Sequence, residues 1–301
     1  MKNLQIKNIV MLLLTAIIWG FAFTAQKSGM EHLEPIAFNC LRSYIGAIFL
    51  IPCTMLLALM KPKGERASTQ PRPSFAYELF AGLCCGAVLA AASTTQQVGV
   101  KFTSAGKAGF ITACYIILVP IFGLLLRKAC SWLLWLAVAL AVVAMYLLCM
   151  TDDTFSIGKG DAFVLLCAVL FALHIIVVDH FATRTDGVRL SCLQFFVVGL
   201  LLTPPMLLAE GLPSWTSISA CAVPLLYAGV MSCGIAYTLQ ILGQRDFNPT
   251  IASLLMSLES TFAVLGGWLL LGEQLSARQL VGCAIMFIAI ILAQIPAPKR
   301  N

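Results

Sequence analysis

The chain has 301 residues, 60% hydrophobic and 11% charged, with a mean hydropathy of +0.94. A soluble globular domain carries about 25% charged residues, so this composition excludes one and specifies an integral membrane protein. The formal net charge of +6 does not call for nucleic acid here, because the basic residues fall largely in loops, where they report topology.

A membrane helix needs roughly 20 mostly apolar residues to cross ~30 Å of hydrocarbon at about 1.5 Å per residue. Apolar runs bounded by polar or turn residues predict helices at 8–26, 35–60, 76–98, 104–126 and 131–149, then 160–180, 189–209, 217–243, 248–271 and 276–295. The first follows a basic flank, as a signal peptide would. It ends in no small-x-small cleavage pattern and more spans follow, so it is expected to be the first helix. The second run carries Arg42 in its first half, and KPKGERASTQPRPS (61–74) after it reads as a solvated loop. In the third, STTQQ (93–97) sets Ser93, Gln96 and Gln97 on one helical face. The fourth has Lys107 one turn in and Tyr115 further on, and the sixth contains His174. Trp132 and Trp215, near helix ends, fit the interfacial aromatic belt. The eighth run holds the small-residue stretch GVMSCG (229–234), then Tyr237 and Gln240. The ninth carries the stripe Ser253, Ser257, Ser260, Val264 and Gly267, which suits close helix packing, and one acid, Glu259, about eleven residues from its start and twelve from its end.

Lys and Arg concentrate in cytoplasmic loops. With the N terminus inside, the outside loops hold four (Lys27, Lys101, Lys159 and Arg278), Arg42 and Lys107 lie within helices, and the remaining 19 − 4 − 2 = 13 lie inside. This bias and the even number of spans place both termini in the cytoplasm and the protein in the cell membrane. The twelve cysteines are spread over many apolar runs and read as reduced core residues.

The halves resemble each other. A shift of 152 sets Cys40 on Cys192, Pro52 on Pro204 and Trp19 on Phe171; later, a shift of 144 sets Gln96 on Gln240, Gly99 on Gly243, Lys101 on Arg245 and Tyr115 on Glu259. The collinear order points to a duplicated five-helix unit, 1–149 and 150–301. Five is odd, so the second copy is inverted. The expected fold class is therefore all-α integral membrane, ten transmembrane helices in two inverted repeats, an arrangement that commonly builds transporters.

IIWGFAFTAQKSGMEHLEPIAFNCLRSYIGAIFLIP (17–52), FTSAGKAGFITACYIILVPIFGLLL (102–126) and LLMSLESTFAVLGGWLLLGEQLSARQLVGCAIMFIAIILA (254–293) resemble the EamA-type branch of the drug/metabolite transporter superfamily. The resemblance implies a central substrate cavity lined mainly by helices 1 to 4 and 6 to 9, with helices 5 and 10 peripheral. In one departure, Glu259 is followed by Ser260 where many relatives have proline, so a proline-dependent bend is not expected. Relatives carry amino acids, nucleosides, quaternary amines and other metabolites in either direction, so family alone does not name the cargo.

Ionisable groups inside a membrane cost ~2.5 to 3.5 kcal/mol each on insertion scales and usually face a cavity or a partner. Glu259 is the first candidate, as a protonatable or cation-binding group, against a carboxyl merely hydrogen-bonded for packing. Arg42 suits a carboxylate or phosphate, against snorkelling to the interface. His174 reads as a core histidine or a proton relay. Trp19, Gln97, Tyr115 and Tyr237 complete the set as aromatic and neutral hydrogen-bonding groups of a cavity for a small amphipathic solute or amine. The expectation is a secondary transporter of a small organic metabolite, efflux favoured, with protons as the candidate coupling ion, the bilayer as environment and a monomer or homodimer as assembly. Nucleic acid, cofactors and metals are not expected. An enzyme is disfavoured because His32, His174 and His180 do not cluster and Asp152-Asp153 and Asp179-His180 have no partner motif. A channel lacks a repeated pore motif, and the chain holds no GxxxxGK[ST] nucleotide loop.

Overall fold

The computed structural model describes residues 2–60, 74–103, 105–125, 131–149, 158–271 and 276–293. The Lys107 side chain, Asp152, Asp153 and residues 61–73 of the solvated loop lie outside the described residues. Among the described residues the chain is almost entirely helical, without strands. The elements are α1 (Lys2–Gly29), α2 (Pro35–Met60), α3 (Phe75–Phe102), α4 (Ala105–Ala113), α5 (Tyr115–Leu125), α6 (Trp132–Cys149) and α7 (Lys159–Ala182). They continue as α8 (Gly187–Pro205), α9 (Trp215–Ala220), α10 (Ala222–Leu226), α11 (Tyr237–Gln244), α12 (Pro249–Met256), α13 (Glu259–Leu271) and α14 (Ala277–Ala293), with π-helical stretches at Met206–Glu210 and Tyr227–Ala236. Seven stretches among the described residues are long and apolar enough to cross a membrane, and Ile111–Leu125, Trp132–Leu147 and Ala277–Leu292 are shorter apolar helices.

Helix is what these sequences must form in hydrocarbon, since each backbone N–H and C=O then finds its partner within its own segment. Their ends are fixed by side chains that accept the orphan first-turn N–H groups. Ser74 Oγ accepts from Tyr77 N at 3.2 Å, Asp186 Oδ1 from Val188 N at 3.2 Å, and Asn248 Oδ1 from Thr250 N at 2.9 Å, with Pro249 opening α12. The surface displays large apolar side chains such as Ile48, Leu83, Leu136, Leu208, Val223 and Phe287, as a lipid-facing surface must. None of the ten cysteines whose side chains are described forms a disulfide.

Three predicted runs differ from expectation. The fourth is interrupted at Cys114 and the ninth at Ser257–Leu258. The ninth breaks without a proline: Ser253 and Ser257 donate to the carbonyls of Thr250 (2.9 Å) and Leu254 (2.8 Å), drawing the backbone out of regular helix just before Glu259. The eighth divides into α9, α10, a π-helical stretch and α11.

Side-chain contacts define two ends of the bundle. At one, the upper end, Glu210 caps the start of α2, accepting from Ile36 N (3.0 Å) and Ala37 N (2.7 Å), Lys101 pairs with Glu34, and Thr103 donates to Asp161. At the lower end Arg189 pairs with Glu78 (3.4 Å) and Asn8 donates to the Arg245 carbonyl (2.9 Å). Between them α2 packs on α8, α3 on both α7 and α8, the second π-helical stretch on α1 and α2, and α6 on α14.

These contacts recur at the sequence offsets. Cys40 Sγ donates to the Gly199 carbonyl (3.6 Å) and Cys192 Sγ to the Ala47 carbonyl (3.5 Å); 192 is 40 + 152 and 199 is 47 + 152. Gly99 lies against Gly160 and Val164, and Gly243 against Asn8 and Leu12; 243 is 99 + 144, while 160 and 164 are 8 + 152 and 12 + 152. At both glycines a Cβ would meet backbone as well as side-chain atoms, so only glycine permits this helix approach.

Candidate functional site

The interrupted helices place two residues at the centre of the bundle. Tyr115 is the first residue of α5 and Glu259 the first of α13, so each follows its break directly. They touch: the Tyr115 hydroxyl donates to Glu259 Oε1 at 3.2 Å, and both are buried. As the opening residue of α13, Glu259 sits at that helix's positive pole.

This pair forms part of the wall of a cavity. From α1 come Trp19, Ala22, Phe23 and Gln26, and from α2 comes Arg42. Gln96 of α3 and Thr112 of α4 join through a hydrogen bond of 3.4 Å. The second half contributes Phe171 of α7, Ser232 of the π-helical stretch and Tyr237 of α11. Gln26, Arg42 and Gln96 lie on the parts of α1, α2 and α3 nearest the upper end, so the cavity runs from the helix breaks in that direction. Its water-accessible space is about 30 Å³, room for two or three water molecules. Among the described residues, α6 and α14 contribute none of the lining.

Arg42 is held rather than free. Its Nε donates to Asn39 Oδ1 at 2.9 Å, and Asn39 Nδ2 donates in turn to Ser93 Oγ (2.9 Å) and Thr94 Oγ1 (3.1 Å). Arg42 is 5% exposed, and among the described residues it has no carboxylate within ion-pair distance. Tyr237 packs its ring on Trp19 (centroids 4.6 Å apart), Phe195 (5.0 Å) and His174 (6.1 Å).

Five of the sequence candidates, Trp19, Arg42, Tyr115, Tyr237 and Glu259, line this cavity. Gln97 and His174 do not. Gln97 is fully buried, beside the lining residue Gln96, and neither of its amide atoms is paired among the described residues. His174 is fully buried behind Tyr237, its Nε2 3.2 Å from Gln194 Oε1 and its Nδ1 unpaired. Sequence reasoning passed over Phe23, Gln26, Thr112, Ser232 and the supporting Asn39. Only Gln26 and Asn39 carried a signal, as amides near the ends of apolar runs.

The model of the EamA-like transporter family matches residues 6–150 and 158–294. Among curated proteins, an uncharacterized transporter of Archaeoglobus fulgidus is 28% identical over 294 residues, spanning 94% of this chain and 84% of the relative. The uncharacterized transporter YoaV of Bacillus subtilis is 20% identical across 99% of this chain and all of its own length. A WAT1-related chloroplastic protein of Arabidopsis thaliana is 25% identical over 92% of this chain and 67% of its own. One solved crystal structure superposes with a TM-score of 0.75 over 95% of both chains at 14% identity, a likeness of fold alone. The chain belongs to the EamA-like transporter family, within the drug/metabolite transporter superfamily, and is a multi-pass membrane transporter rather than an enzyme.

Proposed function

We propose that the protein is a secondary transporter that carries a small organic solute across the cell membrane by alternating access. Ten membrane helices form two inverted five-helix repeats, residues 1–149 and 150–301, with both termini cytoplasmic; the shorter apolar helices cross as well. The observation that carries this reading is the reciprocity of the contacts between halves. In a two-fold interface, if i touches j, the mates of i and j touch in the swapped sense. The Cys40–Gly199 and Cys192–Ala47 contacts obey that rule, as do those of Gly99 and Gly243. Tyr115 and Glu259, mates of each other, meet as residues on the pseudo-two-fold axis would. Two copies of opposite orientation offer two related conformations, one open to each side.

Glu259 then supplies the coupling. A carboxylate that holds either a proton or the cationic part of a solute exchanges one for the other, and an inward proton gradient drives the solute outward. The test is counterflow in proteoliposomes loaded with candidate metabolites. The wild type is expected to show saturable counterflow that slows as pH falls, because protons compete with solute at Glu259. Glu259→Gln is expected to reduce apparent affinity at least tenfold and to leave residual flux independent of pH. Unchanged flux and pH dependence in that variant would remove Glu259 from the mechanism.

A further inference from the structure

We infer that five buried polar residues, His174, Ser191, Gln194, Gln240 and Gln244, make the closed lower half metastable: they give up hydrogen bonds when that half closes and regain them from water when it opens. The inference rests on the alternating-access reading above.

The five lie where α7, α8 and α11 meet. Gly187, at the start of α8, lies against Leu242 and Ile241 of α11. Ser191 and Gln194 follow it four and seven residues on, and so share its face. On α11, Tyr237 packs its ring on His174 (6.1 Å) and Phe195 (5.0 Å), and Ile241 joins Val178 and Leu190 in one apolar cluster. Gln240 and Gln244, three and seven residues after Tyr237, share that face. All five residues are at most 1% exposed. His174 Nε2 meets Gln194 Oε1 at 3.2 Å, but among the described residues His174 Nδ1, Ser191 Oγ, Gln194 Nε2, Gln240 Oε1 and both amide atoms of Gln244 have no partner.

The matching positions of the first half, in the proposed repeats, are served. Subtracting 152 from Ser191 and Gln194 gives Asn39 and Arg42, and subtracting 144 from Gln240 gives Gln96. Arg42 donates to Asn39, Asn39 to Ser93 and Thr94, and Gln96 to Thr112, while Arg42 and Gln96 line the cavity. Polar side chains at these positions thus suit a half that has parted, and the lower half carries them while shut. A buried polar atom without a partner forfeits the bond that water would give it, about a tenfold shift in equilibrium for each. A trapped water relieves part of that cost and leaves its sign unchanged. An apolar side chain of similar shape has no such bond to lose, so it favours closure.

The test compares Ser191→Ala, Gln244→Met, the double variant and Gln244→Glu in the full-length protein. Ser191 Oγ and the Gln244 amide serve no described side chain, so removing them strands no partner. Each variant also carries Val178→Cys in a background cleared of other cysteines, and a membrane-impermeant maleimide is applied from the lower face. The double variant is expected to slow labelling at position 178 at least tenfold and to raise the melting temperature. Gln244→Glu, whose charge demands water, is expected to speed labelling. Labelling of the double variant at the wild-type rate or faster, a lower melting temperature, or failure of either apolar single variant to fold overturns the inference, because these atoms would then support the closed half. If position 178 is never labelled from the lower face in otherwise wild-type protein that carries solute, the alternating-access reading falls as well; if it is labelled there and the apolar variants change nothing, only the present inference falls.

Discussion

Glu259 and Tyr115 meet at the centre of the molecule, and the worth of that contact is measurable. A hydrogen bond to a buried carboxyl contributes about 1.5 to 3 kcal/mol. Tyr115→Phe removes the donor and leaves a buried carboxyl unserved, so it should lower stability by about that amount. Glu259→Gln keeps an acceptor oxygen for Tyr115 and should cost less. Chemical or thermal unfolding of the two variants in detergent decides, and a harmless Tyr115→Phe would mean that the contact contributes little. At this scale the sequence was legible where burial contradicts chemistry: a glutamate and an arginine inside apolar runs announce themselves, because hydrocarbon penalises charge heavily. Thr112, Ser232 and Phe23 gave no such signal, since hydroxyls and aromatics are ordinary in membrane helices. Whether Gln96 or Gln97 faces the cavity turns on about 100° of helix rotation, which sequence spacing alone leaves open.

At the scale of elements, the apolar runs located the helices well, because twenty consecutive apolar residues have few alternatives. The interruptions were hidden. Proline is the usual signature of a bend, and α12 and α13 are separated without one, by serine hydroxyls that bond back to their own helix. Helix contacts were equally hidden, except where small residues recur. Gly99 and Gly243 are the sharpest case. A Cβ at Gly99 would press on Val164 and the Gly160 carbonyl, and one at Gly243 on Leu12 and the Asn8 carbonyl. Gly99→Val and Gly243→Val should therefore each cost about 1 to 3 kcal/mol by overpacking. Matching losses in melting temperature are expected if the two sites are mates in the proposed repeats. A valine tolerated at both positions would show that the helices can separate there freely.

For the molecule as a whole, if the halves are inverted repeats as proposed, the offsets of 152 and 144 convert one conformation into a description of its counterpart. The cavity lies toward the upper end, with Trp19, Gln26, Arg42 and Gln96 in its wall. Their mates are Phe171, Val178, Gln194 and Gln240, and the buried His174 is the mate of Ala22. Among the described residues, Gln194 Nε2, His174 Nδ1 and Gln240 Oε1 are buried without hydrogen-bond partners, an expensive arrangement that access to water in the proposed opposite state would relieve. The proposed exchange of roles between the two halves is open to side-specific thiol labelling. Gln26→Cys and Val178→Cys, each in a background cleared of other cysteines, are exposed to a membrane-impermeant maleimide in sealed vesicles of known orientation. Position 26 is expected to react from one face only and position 178 from the opposite face only, in protein still able to carry solute. Reaction of both from the same face, or none at 178 while transport proceeds, would contradict it.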